Sequence, residues 1–256
     1  MLIDTHCHLN FADKFPDPAA EIALAAREGV GRLVVVGCDE ETSLAAVELA
    51  DAHEGVYAVV GWHPTSAASF NSAGLLAIEA MLAHPKVVAV GEIGLDFYWD
   101  FSTPEQQHRC LRDQLDLARA HAMPVVFHCR EAWNPLLDVL EADAPQPYLF
   151  HCFSGDAAQA ARALALGGVL GFDGPITYKK NDALRAIARD TPADRIVLET
   201  DSPYLSPEPF RGKPNRPANV KFVNAALAAA RGNSAEACAE MTTANAVRFF
   251  RLTPPA

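Results

Sequence analysis

The chain is short of positive charge. Its 256 residues carry 21 Lys and Arg against 32 Asp and Glu, a formal net charge of -11. Proteins that coat nucleic acid nonspecifically do so by neutralising phosphates, so that class is excluded. An enzyme that meets nucleic acid at one site is not, because bound cations and a few local Arg and Lys supply the field where it matters. Long apolar runs are also missing. None approaches the ~20 residues of a membrane-spanning helix, and no basic stretch followed by an apolar core opens the chain. The expectation is a cytoplasmic protein with no membrane partner and no obligate protein partner. Cysteine is scarce, and none of the six (7, 38, 110, 129, 152 and 238) forms a CxxC pair. With no secretion signal, that argues against a disulfide framework. There is no Gly-rich nucleotide loop, no low-complexity segment and no linker.

What remains is ordinary globular composition, half hydrophobic and about a fifth charged. Residues 1–256 read as one domain. Eight short apolar runs recur along the chain: the segment leading into His6, Leu33–Val36, Tyr57–Val60, Val87–Val90, Val125–Phe127, Tyr148–Phe150, Val169–Phe172 and Ile196–Leu198. Continuous Val/Ile/Leu runs are the mark of buried parallel strands. Helical patterns lie between them. One is expected over Pro16–Gly29, one from Asp39 to about His53, and one over Ser72–Ala83. Another starts at Thr103-Pro104-Glu105-Gln106, and helices close the chain from about Ala218. Pro203–Pro217 reads as a long loop after the eighth strand. Eight strand–helix units predict a (β/α)₈ TIM barrel, with a doubly wound open sheet as the rival.

The barrel is preferred because polar, ligand-type residues end strands one, three, four, five, six and eight. Only a closed ring brings so many strand ends around one centre. His6 and His8 are two residues apart, so on a strand both imidazoles face one side and Cys7 faces the other. By the same alternation Cys129 and Cys152 are expected to point away from His128 and His151, as small buried hydrophobes. Four imidazoles and two carboxylates (His6, His8, Glu92, His128, His151, Asp201) exceed the needs of one tetrahedral metal. Two divalent ions sharing Glu92 use them all. His6, His8 and Asp201 complete one site, and His128 and His151 the other. Paired ions of this kind activate water and hold the leaving oxygen of an in-line displacement. Four histidines suit Zn²⁺, Mn²⁺ or Ni²⁺, while two carboxylates and open positions leave room for Mg²⁺.

Other residues are placed around this centre. His63 ends strand three, where it touches substrate or is merely hydrogen-bonded. Arg130 shares strand parity with His128 and is placed to grip a phosphate oxygen. Glu199 shares parity with Asp201 and is expected to orient a ligand. Tyr178, Lys179 and Lys180 follow strand seven, a common phosphate site in barrels. Arg211, Lys213 and Arg216 lie in the strand-eight loop. For each of these basic residues a solvated face is the plain alternative. Phe97-Tyr98-Trp99 is unusually aromatic for a loop. It either stacks on bases or packs beneath the loop.

Asp4-Thr5-His6-Cys7-His8-Leu9, Gly61-Trp62-His63-Pro64, Gly91-Glu92-Ile93-Gly94-Leu95-Asp96, His151-Cys152-Phe153-Ser154-Gly155 and Glu199-Thr200-Asp201-Ser202-Pro203-Tyr204-Leu205 together resemble the successive signatures of the TatD family of metal-dependent deoxyribonucleases. Asn245-Ala246-Val247-Arg248-Phe249-Phe250 is similar to that family's closing helix. The resemblance implies a TIM barrel of the amidohydrolase superfamily with two divalent metals. It implies phosphodiester hydrolysis in DNA, often 3′-to-5′, with the same six residues as ligands. Glu92, Asp201 and Arg130 are then the catalytic set, with Asp201 as proton acceptor. One departure is Lys213-Pro214-Asn215-Arg216-Pro217, where the family usually has an acidic residue at the position of Arg216. Two other readings stay open: a metal-dependent hydrolase of a small-molecule or aminoacyl ester, amide or lactone, and a noncatalytic metal-binding protein.

Overall fold

In the computed structural model, which describes residues 1–143 and 146–253, every expected strand is present and all pair in parallel in the order of the chain. They are β1 (Leu2–Cys7), β2 (Val30–Val36), β3 (Val56–Val60), β4 (Val87–Asp96), β5 (Val125–Arg130), β6 (Tyr148–Phe150), β7 (Val169–Phe172) and β8 (Ile196–Leu198). The helices between them are α1 (Pro18–Arg27), α2 (Glu40–Ala52), α3 (Ser72–Met81), α4 (Pro104–Ala120), α5 (Trp133–Glu141), α6 (Ala157–Ala165) and α7 (Asp182–Asp190). α8 (Val220–Arg231) and α9 (Ala235–Phe249) follow β8. The chain just after β8 closes the ring. The Asp201 N–H donates to the His6 carbonyl at 2.9 Å, and the His8 N–H donates to the Ser202 carbonyl at 2.8 Å. This is a TIM barrel, and the open-sheet rival is set aside.

Local chemistry sets where the helices begin. The Asp39 carboxylate accepts the Thr42 N–H at 2.9 Å, a capping box at the start of α2. Thr103 and Gln106 form the same reciprocal pair ahead of α4, with Pro104 at its first position. Asp17 caps α1, which therefore starts two residues later than the sequence suggests.

Two apolar layers hold the barrel. Ile3, Val34, Val36, Val59, Val126, Leu149 and Val197 point inward, and Ala246, Phe249 and Phe250 of the closing segment pack with them. Asn245 donates to the carbonyls of Ala193 and Ile196, and Thr243 donates to that of Met1. These contacts fix α9 beneath the N-terminal ends of β1 and β8, so the barrel floor is plugged and only the opposite end is free for a site. Leu33, Val35, Phe127 and Phe150 face outward against the helices.

Two strands run further than the apolar runs indicate. β4 and β5 continue to Asp96 and Arg130 because Ile93–Asp96 pair residue by residue with Phe127–Arg130. β1 and β4 also carry irregularities close to the site. The register slips between Asp4 and Cys7 of β1 and between Val90 and Ile93 of β4. Bulges of this kind re-aim side chains. Ile3 and His6, of opposite parity, thus both face the barrel interior.

Candidate metal centre

The C-terminal strand ends converge on Glu92, which is buried. Its two oxygens face different groups. Oε2 lies 3.3 Å from His6 Nε2 and 3.8 Å from His8 Nε2, and Asp201 Oδ1 sits 3.4 Å from His8 Nε2. Oε1 lies 2.8 Å from His151 Nε2, 2.9 Å from His128 Nδ1 and 3.6 Å from His63 Nε2. All six residues singled out as ligands in the sequence are brought together, and His63 joins them.

The donor set fits divalent cations. His8 Nδ1 faces the Val36 carbonyl at 2.9 Å, so that nitrogen carries the proton and Nε2 presents a lone pair. This lone pair points at His6 Nε2, only 3.3 Å away, beside two carboxylates. Converging acceptors of this kind repel one another unless a cation or a proton lies among them. The local electrostatics point the same way at His8, His128 and His151, whereas burial and the facing His151 lower His6. Burial pushes His151 down, but Glu92 and then Glu199 more than offset it and hold the imidazole well above its ordinary value. His8 and His128 are also raised against their burial, the first chiefly by its bond to Asp201, the second by bonds to Asp96 and Glu92. Burial raises Glu92, yet the facing His151, His6 and His63 bring it well below the usual carboxylate range.

Outer contacts orient these rings. Glu199, fully buried, lies 3.5 Å from His151 Nδ1, as expected from its parity with Asp201. It also accepts the Cys152 N–H. Gly171 makes room for it: a Cβ there would stand 2.6 Å from Glu199 Oε2. The sequence reading overlooked Asp96. It accepts from His128 Nε2 at 2.8 Å, leaving Nδ1 for the centre. The available signal was parity, since Asp96 lies four residues after Glu92 in the same strand.

His63 is set differently from the other imidazoles. The Thr65 N–H donates to its Nδ1 at 3.2 Å, which assigns the ring proton to Nε2, the atom facing Glu92. Burial and the neighbouring His128 push its pKa down to about 3, so the ring is a neutral N–H donor aimed into the site.

A cavity of about 780 Å³ opens over the centre. Arg130, Trp99 and Tyr204 line it, as do Cys38 and Cys152. Cys7 is buried in the outer apolar layer, as alternation requires; Cys129 belongs to the same layer but also borders the cavity. Cys152 departs from that expectation. It lies beyond the end of β6 at φ 44°, so strand alternation does not govern it. The basic loop residues are not brought in. The Tyr178 hydroxyl donates to the Ser206 carbonyl at 3.1 Å, and the Arg211 guanidinium covers its ring at 4.3 Å, bracing the loop after β8. The Lys179 carbonyl is taken by Arg185. Arg216 faces Glu21 of α1 at 3.6 Å. Tyr178, Lys179 and Arg216 are not among the cavity's lining residues.

A parallel eight-stranded barrel with an imidazole–carboxylate cluster at its C-terminal strand ends defines the class of metal-dependent hydrolases. The chain belongs to the TatD family: the model for TatD related DNase matches residues 3–251. It is 38% identical to the uncharacterized metal-dependent hydrolase YabD of Bacillus subtilis, over 98% of this chain and 100% of that one. It is 35% identical to a 3′-5′ ssDNA/RNA exonuclease TatD of Musicola paradisiaca, over 98% of each. Among solved structures, YjjV, a TatD homologue from Escherichia coli, superimposes with a TM-score of 0.93 at 34% identity, covering 99% of this chain and 98% of that one. Among the described residues, no helix is long and apolar enough to cross a membrane.

Proposed function

We propose that the protein hydrolyses phosphodiester bonds of single-stranded DNA from the 3′ end, with two divalent ions held across Glu92. The observation that carries this reading is the division of Glu92: one oxygen faces His6 and His8, with Asp201 beside them, and the other faces His128 and His151. Relatives named 3′-5′ ssDNA/RNA exonuclease support the choice of substrate. Zn²⁺, Mn²⁺, Ni²⁺ and Mg²⁺ are the candidate ions, the first three favoured by four imidazoles.

When bound, such ions supply an acidified water and a positive field for phosphoryl oxygens. The chain's own groups do the rest. Burial raises Asp201, but its bond to His8 and the facing His151 more than offset this. Its carboxylate is therefore ionised at neutral pH and placed to take the proton of the attacking water. His63 Nε2–H donates to a non-bridging phosphate oxygen. Arg130, the one Lys or Arg among the cavity's described lining residues, neutralises the phosphate.

Hydrolysis of 5′-labelled single-stranded DNA tests this, comparing wild type with Glu92→Ala under EDTA and under each ion. The expected outcome is a metal-dependent ladder growing from the 3′ end, absent in the variant while its circular dichroism is retained. No cleavage with any ion, in a protein that still binds two equivalents, would overturn the nuclease reading and leave a small-molecule or aminoacyl ester or amide as substrate.

A further inference from the structure

The loop after β4 presents a hydrophobic face that the fold itself does not use. Trp99 is 45% exposed and Phe101 64%. Their rings lie nearly parallel, 10° apart with centroids at 5.4 Å. Both line the cavity that holds Glu92 and His128. Of the aromatic run Phe97-Tyr98-Trp99, Phe97 packs beneath the loop against the core, whereas Trp99 does not, and Phe101 joins Trp99 outside.

The loop is held in place rather than left free. Asp96 Oδ1 accepts the N–H groups of Tyr98 and Trp99, both at 3.0 Å. The Phe97 N–H donates to the Arg130 carbonyl at 2.9 Å. At the far end Ser102 Oγ donates to the Thr65 carbonyl at 3.0 Å and accepts the Ala68 N–H at 2.9 Å. A rigid pair of exposed rings beside a reaction centre is preorganised for a flat ligand. Tyr98 braces this pair from one side: its ring meets that of Trp99 edge-on with centroids 4.8 Å apart, and the Arg130 guanidinium lies 3.7 Å above the Tyr98 ring and 5.7 Å from that of Trp99.

The occupant follows from charge. A polyanion meets a chain of net charge -11 and a cavity whose described lining contains one Arg and no Lys. Phosphate contacts alone are too few to hold a strand there. Every base offers a π-face, and unpaired bases stack on exposed aromatic rings regardless of sequence. Duplex bases are already stacked on one another and are withheld.

We propose that Trp99 and Phe101 form a shelf on which the unpaired bases of a single-stranded nucleic acid stack as its end enters the cavity. The proposal rests on the nuclease reading, and it makes stacking rather than backbone charge the main source of strand affinity. Duplex ends without an unpaired overhang are then poor substrates.

Trp99 also provides the readout. The other two tryptophans, Trp62 and Trp133, are only 7% and 6% exposed. Quenching of tryptophan fluorescence by a strand therefore reports on Trp99. The titration uses the metal-loaded protein and a thymidine octamer with phosphorothioate linkages, which slow hydrolysis, against an abasic octamer with the same linkages. The expected result is saturable quenching by thymidine, with binding roughly ten- to a hundredfold weaker for the abasic strand and for Phe101→Ala. In turnover, Trp99→Ala is expected to raise KM for an unmodified octamer by a similar factor. That loss exceeds any loss on an abasic octamer with ordinary phosphodiester linkages, which offers no π-face, at least tenfold. Equal affinity for the thymidine and abasic strands, no quenching at all, or wild-type KM in Trp99→Ala would each overturn the shelf. Base-dependent quenching without hydrolysis under any ion would keep the shelf and sink the nuclease reading. Hydrolysis with unaltered KM in Trp99→Ala would do the reverse.

Discussion

Asp96 shows what one carboxylate can hold at this site. One oxygen accepts from His128 Nε2, and the other takes two backbone N–H groups of the aromatic loop. Asp96→Asn keeps the shape but removes the charge that fixes the imidazole. Metal affinity is expected to fall about 10–100-fold, read by calorimetric titration, with the barrel intact by circular dichroism. An unchanged affinity would mean that His128 needs no such anchor. His151 carries a second consequence. Its pKa stands well above the ordinary imidazole value because of Glu92 and Glu199. Its proton therefore stabilises the metal-free fold below the unfolded value of about 6.5, and that contribution is lost as pH rises through the raised value. A divalent ion needs the deprotonated ring. The gain in Tm on adding Mn²⁺ or Zn²⁺ is thus expected to be small near pH ~5.5 and to grow toward pH ~8. Melting curves with ion and with EDTA measure it. A gain that does not change with pH would show that proton and metal do not compete for this ring.

At the scale of elements, β4 carries the most consequence. Gly94 sits at φ +146°, and a Cβ there would fall inside the contact radius of the His128 carbonyl oxygen. Gly94→Ala must push β4 from β5 at the point where Glu92 and His128 meet. The expected cost is roughly 2–5 kcal/mol, seen as a lower urea midpoint with an unchanged m-value. A shift below about 0.5 kcal/mol would show that the two strands separate freely there. This strand also marks how far the sequence could be read. Val87–Val90 was legible as a buried parallel strand because both its faces are apolar, and so were its seven counterparts. Its extension to Asp96 was not, since Gly91, Glu92 and Gly94 carry no strand pattern and the pairing with β5 decides it. The candidate ligands were legible because each follows an apolar run. His6 and His8 needed only their spacing. Roles set by loops were not legible. Tyr178, Lys179 and Arg216 follow strands seven and eight as phosphate-binding residues would, yet nothing periodic in a loop says where a side chain points. Tyr178 ends on the Ser206 carbonyl and Arg216 on Glu21, and Lys179 stays outside the cavity lining. Cys152 fails for the same reason, because alternation stops where β6 stops.

The molecule as a whole is acidic, and many of its surface cations are already spoken for. Arg162 pairs with Asp138 and Glu141, Arg119 with Asp116 and Asp143, Arg185 with Asp182, and Lys221 with Glu28. The helices around the barrel thus present ion pairs and surplus carboxylates rather than a basic track. A strand approaching the open end meets a surplus of carboxylates, with Arg130 the one Lys or Arg among the cavity's described lining residues and Lys179, Lys180 and Lys213 exposed on the loops outside it. Each phosphate neutralised on a single strand contributes a slope of about -0.7 to log affinity against log salt. With one or two phosphates engaged, the slope of log(1/KM) for a single-stranded octamer is expected near -1, and screening of the acidic surface makes it shallower still. A binder making 6–10 phosphate contacts on a single strand gives about -4 to -7 instead. Turnover of the octamer from about 50 to 200 mM KCl at fixed divalent ion distinguishes the two. A slope near -1 places recognition at the mouth of the barrel, where one guanidinium and two stacked rings meet the strand end. A slope of -4 or steeper would require a line of phosphate contacts across the outer helices, and the paired arginines there would have to exchange their carboxylates for the strand.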